Sequence, residues 1–98
     1  RVYAHLCRWT SLGLSLLEAM FLGMPVVALS VTEAPEALTG SAAVVSNDLL
    51  RLQEHVRDVI HEPELAADLG RRNRAHVETR YSLQRFHADW DRLLKEVL

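Results

Sequence analysis

The 98-residue sequence has one cysteine, Cys7. No internal disulfide can staple the chain, and no cysteine-based zinc site can be built from it. Neither sign of charge is in excess: 11 Lys+Arg stand against 13 Asp+Glu, for a formal net charge of −2. That balance argues against a nucleic-acid or anionic-membrane surface as the chain's main business. Long hydrophobic runs are also missing. Leu12 to Leu29 carries a single charged residue, Glu18, but Gly23-Met24-Pro25 splits the run into a short helix and a short strand. Neither piece reaches the roughly 20 residues that span a bilayer, so no transmembrane segment is expected. There is no P-loop, no G-x-G-x-x-G and no nucleophile elbow. The five histidines (His5, His55, His61, His76 and His87) fall into no metal-ligand spacing. They read as surface or packing residues, and no metal site is expected.

Apolar residues make up 49% of the chain, enough for the core of one small domain. The chain starts with Arg rather than Met and opens directly on a strand-like segment, which reads as part of a longer protein. A lone reduced cysteine and the lack of a visible signal peptide fit a cytoplasmic protein, or one peripheral to the membrane.

The order of elements indicates an α/β fold. Strands are expected at about residues 2–6, 26–29 and 43–45. Arg8 to Ser11 reads as a polar link into a helix over about Leu14–Leu22 that stops at Gly23. Ser30 to Thr39 reads as a loop with a helical turn around Pro35-Glu36-Ala37. Asn47 or Asp48 caps a helix with Leu49, Leu52, Val56, Val59 and Ile60 on one face. Pro63 opens the next helix, with Leu65, Leu69 and Val77 inward and Gly70 weakening it. Ser82 caps the last, whose stripe is Leu83, Phe86, Trp90, Leu93, Leu94 and Val97, with Asp91 and Lys95 paired at i,i+4 on its wet side. Trp9 and Trp90 read as packing residues. Three parallel strands buried on both faces make too small a sheet to stand alone comfortably, again pointing to a larger whole.

Two features carry chemistry. Glu18 is a carboxylate inside an otherwise apolar helix, with leucine one turn away on either side, and leaving it buried and unpaired costs several kcal/mol. It either meets a distant basic residue, reaches solvent, or lines a cavity where its two oxygens accept from a diol such as a ribose. Thr10-Ser11-Leu12-Gly13-Leu14 lies between a strand and a helix N-terminus, where free N–H groups and the helix dipole suit an anion. Gly13 lets a ligand approach the backbone closely. The competing reading is an ordinary loop with Thr10 or Ser11 as N-cap.

Ser11-Leu12-Gly13-Leu14-Ser15-Leu16-Leu17-Glu18-Ala19-Met20, followed by Gly23-Met24-Pro25-Val26-Val27-Ala28, resembles the C-terminal domain of GT-B glycosyltransferases of the retaining family-4 type. Their E-x7-E element runs E-x-F-G-L-x-L-L-E-A-M-A-x-G-x-P-V-V-A. Glu33-Ala34-Pro35-Glu36-Ala37 is similar to the family's G-G-x-P-E segment. His61-Glu62-Pro63-Glu64-Leu65 with Leu69-Gly70 is similar to its D-P-E-L…L-G helix pair, and Tyr81-Ser82-Leu83…Phe86…Trp90 to its closing segment. The likeness covers nearly the whole chain.

The resemblance implies the C-terminal half of a Rossmann-like, nucleotide-sugar-binding domain with four main helices. It implies transfer of a sugar from a nucleotide-diphosphate donor to a hydroxyl acceptor, with retention and without a bound metal ion or separate cofactor. Glu18 takes the place of the second Glu, which holds the donor's ribose hydroxyls. Leu12, Gly13 and Leu14, beside Ser11, take the place of the backbone that contacts sugar or diphosphate. The first Glu falls on Thr10, whose neutral hydroxyl offers the donor sugar no negative charge. Thr32 and Glu33 replace the paired glycines. The diphosphate-clamping Arg and Lys, and the acceptor-binding N-terminal domain, are expected upstream of residue 1, so this piece alone is expected to be inactive. The last helix is expected to cross back onto that missing domain. No catalytic residue is assigned. Thr10 also admits a non-catalytic interaction or regulatory module of the same fold, and an epimerase of GT-B architecture is a third, less well matched reading.

Overall fold

Short apolar runs separated by glycine and proline give short strands, and the longer amphipathic segments give helices. The structure, a computed structural model, describes residues 1–98. The elements are β1 (Tyr3–His5), α1 (Leu14–Phe21), β2 (Val26–Ala28), α2 (Ala34–Ala37), β3 (Val44–Val45), α3 (Leu49–His61), α4 (Pro63–Arg80) and α5 (Leu83–Val97). The strands form one parallel sheet in the order β1-β2-β3. Tyr3, Ala4 and His5 pair with Val26, Val27 and Ala28, and Val27 and Ala28 pair with Val44 and Val45. This is the Rossmann-like α/β arrangement expected, with α1, α3, α4 and α5 as the four main helices and α2 as the expected single turn.

The centre of the fold is β2, buried along its whole length. Val26 and Ala28 meet Leu16 and Met20 of α1, Ala34 of α2, Leu38 and Val77 of α4 in the main cluster. A smaller cluster joins Ala42, Val59 of α3 and Leu69 of α4. Asn73 of α4 is fully buried and stitches two loops to the core. Its Oδ1 accepts from Ala42 N–H at 2.9 Å and its Nδ2 donates to Met24 C=O at 3.1 Å.

The helix signals act as their chemistry dictates. Asp48 caps α3 by accepting from Leu50 and Arg51 N–H, and Ser82 caps α5 by accepting from Arg85 N–H; each such cap contributes about 1 kcal/mol. Asn47, the other candidate cap, instead accepts from Ser30 N–H at 2.9 Å and ties the loops after β2 and β3 together. At Gly23 (φ +72), where α1 stops, α4 crosses closely enough that a side chain on Gly70 would overlap the Gly23 carbonyl oxygen. Gly70 is therefore a close-approach residue, not merely a weak point in α4.

Several expected faces are not buried. In α1 only Leu16, Ala19 and Met20 are buried. Leu14, Phe21 and Leu22 are exposed, and Glu18 lies in the same exposed row as Leu14 and Leu22 at i,i+4 spacing. On α3, Leu49 and Ile60 are also exposed. A 13-residue helix rises about 20 Å and overhangs strands of two and three residues. The amphipathic α5 forms on cue, yet none of its residues is buried. Phe86 and Trp90 meet edge to face at 6.2 Å. The expected Asp91–Lys95 pair does not form; Asp89 instead takes Arg85 at 3.4 Å and Arg92 at 3.1 Å. No helix is long and apolar enough to cross a membrane.

Candidate functional site

In a parallel sheet the carboxyl ends of all strands lie on one side, and the loops leaving them form the natural ligand face. Here those loops are Leu6–Gly13 after β1, Leu29–Glu33 after β2 and Ser46–Asp48 after β3. They are knitted together by main-chain bonds. Glu33 N–H donates to Ser11 C=O at 3.3 Å, Leu29 N–H to His5 C=O at 3.1 Å and Ser46 N–H to Ala28 C=O at 3.0 Å. Thr10, Ser11, Leu12, Gly13 and Leu14 are thus gathered at the start of α1, with Glu33 beside Ser11.

The N-cap of α1 is Gly13, at φ +85, and it makes no side-chain cap bond. Neither Thr10 nor Ser11 caps the helix, which corrects the expected N-cap. Leu16 N–H takes the Gly13 carbonyl at 3.2 Å, which leaves the N–H groups of Leu14 and Ser15 without an intrahelical partner. Leu12 packs its side chain against the main core cluster and so anchors the turn from below. Glu18 is one turn beyond Leu14 on the exposed side of α1. It makes no salt bridge, so of the readings open to a carboxylate in this helix the distant basic partner is not found. Glu33 is exposed at the start of α2.

Gly13 has a further neighbour. A side chain at this position would point inward, with its Cβ 2.8 Å from His5 Cε1 and 3.4 Å from Nε2. The missing side chain therefore makes room for an imidazole as well as for the positive φ. His5 is only 3% exposed, and burial lowers its pKa, which keeps the ring neutral near pH 7. Its Nε2 has no hydrogen-bond partner. Its Nδ1 faces Tyr3 Oη at 3.5 Å, and Tyr3 Oη is bonded to Ser15 Oγ at 2.7 Å. The sequence reading passed over His5, Tyr3 and Ser15 as site residues. The signal was present in the alternation of β1, which puts Tyr3 and His5 on one face. Trp9, expected to pack, is 95% exposed on the same loop.

Thr32 is the one non-glycine residue with positive φ, at +55. It stands where the resembled pattern has its first glycine, and the left-handed conformation is costly for a β-branched residue. Thr32→Asn keeps a polar side chain and tolerates this conformation. It is expected to raise stability by about 0.5–1 kcal/mol, read as an increase in the urea midpoint with the slope unchanged. A groove of about 470 Å³, lined by Arg1, Met24, Pro25, Ile60, Pro63 and Ala66 among others, is at the opposite end of β2 from these loops.

Residues 1–76 match the family model described as "Glycosyl transferases group 1". The chain belongs to that family. The three-stranded parallel sheet and four main helices are consistent with the Rossmann-like GT-B half-domain anticipated from its motifs. Among curated proteins, it is similar to a GDP-mannose-dependent monoacylated alpha-(1-6)-phosphatidylinositol monomannoside mannosyltransferase of Corynebacterium glutamicum. The two are 36% identical over 73 residues, which cover 72% of this chain and 19% of the relative. The chain thus spans about a fifth of the length of that glycosyltransferase, and the family match over residues 1–76 includes the β1–α1–β2 unit that builds the candidate site.

Proposed function

We propose that the chain is the donor-binding part of a glycosyltransferase that moves a sugar from a nucleotide-diphosphate donor to a hydroxyl acceptor. The observation that carries this reading is the uncapped N-terminus of α1, behind a glycine at φ +85 at the carboxyl end of the sheet. Free N–H groups and the positive end of the helix dipole there suit a diphosphate. Glu18, exposed one turn further on, suits the ribose diol, because a carboxylate accepts from two adjacent hydroxyls at once. Family membership supports the same reading. The proposed transfer proceeds with retention and without a bound metal ion, as in the enzymes the motifs resemble. The relative's printed use of GDP-mannose makes a GDP-sugar the first donor to test. The proposed location is cytoplasmic, at the membrane face if the acceptor is a lipid.

The bare parts of the structure fit a larger whole. The Leu14–Leu22 row of α1 and the Phe86–Trp90 stripe of α5 are exposed, and burying large apolar side chains contributes about 1.5–3 kcal/mol each. In this reading they are covered by the rest of the donor domain and by an N-terminal acceptor domain of the same protein. That domain also supplies the acceptor site, and the segment before residue 1 supplies the cations that neutralise the diphosphate. The 98 residues alone are then inactive.

Thr10 favours a second reading, a non-catalytic module of the same fold, because a hydroxyl stands where the resembled enzymes have a carboxylate. Transfer by the full-length protein separates the two. With GDP-mannose and a panel of sugar and glycolipid acceptors, the enzyme reading expects acceptor-dependent release of GDP, whereas the module releases none. Thr10→Glu is expected to raise transfer severalfold if the site retains family geometry, since a carboxylate stabilises developing positive charge on the sugar. An unchanged rate would remove Thr10 from the sugar site.

A further inference from the structure

The N-terminus of α1 holds one buried polar atom that nothing in the fold satisfies, Nε2 of His5. Leaving such an atom unpaired is costly, and its position is specific. The ring is the last residue of β1, it lies against Gly13, and its other nitrogen faces the Tyr3 hydroxyl, which is bonded to Ser15 in the first turn of α1. In one of the two hydrogen-bond directions this chain allows, Ser15 donates to Tyr3 and Tyr3 to Nδ1, and the proton of the neutral imidazole then sits on Nε2. The N–H groups of Leu14 and Ser15 and the N–H of His5 are then three donors at one point. Such a group of N–H donors suits an anionic oxygen.

We propose that His5 is a further donor-binding residue, whose Nε2–H meets an oxygen of the distal phosphate received by the N-terminus of α1. The proposal rests on the nucleotide-sugar reading above and adds a side-chain contact to its backbone site. Gly13 shields Nε2 in the free chain. Gly13 carries no side chain and makes no side-chain cap bond, so a small outward shift of its backbone brings an oxygen seated on Leu14 and Ser15 within reach of the imidazole. In that direction the Tyr3–Ser15 pair holds the ring's tautomer and orientation, as partners of functional imidazoles commonly do. In this account Gly13 is glycine for two reasons, the left-handed turn and the space the imidazole occupies.

The test is calorimetric titration of the full-length protein with GDP and GMP, with UDP/UMP and ADP/AMP run in parallel. His5→Leu fills a similar volume without a donor, and His5→Gln carries an N–H of similar reach. His5→Leu is expected to weaken nucleoside diphosphate binding by about tenfold or more, the scale of a hydrogen bond to a charged group. Monophosphate binding stays as in the wild type, and His5→Gln keeps most of the diphosphate affinity. Should His5→Leu fail to fold, Tyr3→Phe removes only the orienting hydroxyl and is expected to weaken the diphosphate alone, by about threefold. Wild-type diphosphate affinity in His5→Leu or, if that variant does not fold, in Tyr3→Phe would overturn the proposal, as would equal loss for mono- and diphosphate or a Gln variant as weak as Leu. If the wild type binds none of the nucleotides, the donor reading itself fails and His5 falls with it.

Discussion

Gly70→Ala is expected to destabilise the full-length protein by about 3 kcal/mol or more, the upper range for forcing extra volume into a packed site. The added methyl would overlap the backbone carbonyl of Gly23, an atom no rotamer change can move. Helix α4 must back away from the end of α1, and Val77 of α4 then withdraws from Leu16 and Met20 in the core cluster. Gly40→Ala is the matched control. Gly40, unlike Gly70, has positive φ, at +86, and a side chain there meets nothing within 4 Å. Its cost is the conformational strain alone, about 1–2 kcal/mol. Urea unfolding of both variants separates the effects, and equal losses would mean that the α1–α4 contact is not as tight as described.

Glu18→Ala is expected to weaken donor binding by about 1.5–3 kcal/mol, roughly 10–150-fold in Kd, the scale for hydrogen bonds to a charged group. Stability should scarcely change. Glu18 is exposed and forms no ion pair in the structure, alanine is the better helix former, and surface substitutions of this kind fall within about ±0.5 kcal/mol. A binding loss at constant stability is therefore a signature of contact with the donor. Calorimetric titration with the nucleotide sugar and an unfolding curve for the same variant give both quantities, and an unchanged affinity would remove Glu18 from the site.

Most of the local structure was legible because its causes are local. The polar cap Asp48 begins α3, Ser82 begins α5, Pro63 opens α4 and Gly23 stops α1, each within a residue or two of where side-chain chemistry puts it. The glycine turn and the carboxylate one turn later were also visible, since their spacing lies within one strand–helix unit. What remained hidden depends on contacts across the fold. Gly70 looks like a weak helix position until Gly23 is brought against it from 47 residues away in sequence (70 − 23 = 47). His5 reads as an undistinguished strand residue until the chain returns and places Gly13 over its ring. Hydrophobic periodicity marked α5 as two-faced, but periodicity says that a face is apolar and not what covers it. The same limit applies to α1, an apolar helix whose Leu14, Phe21 and Leu22 are exposed.

The central claim is that the N-terminus of α1 and the carboxylate beyond it hold a nucleotide-diphosphate sugar. Its most direct test is calorimetric titration of the full-length protein with GDP-, UDP- and ADP-sugars and the corresponding free nucleotides. The account predicts saturable binding of one nucleotide family, with the diphosphate bound more tightly than the monophosphate because the helix N-terminus reads the second phosphate. A folded full-length protein that binds none of them would contradict the account and leave the interaction module as the reading of this fold.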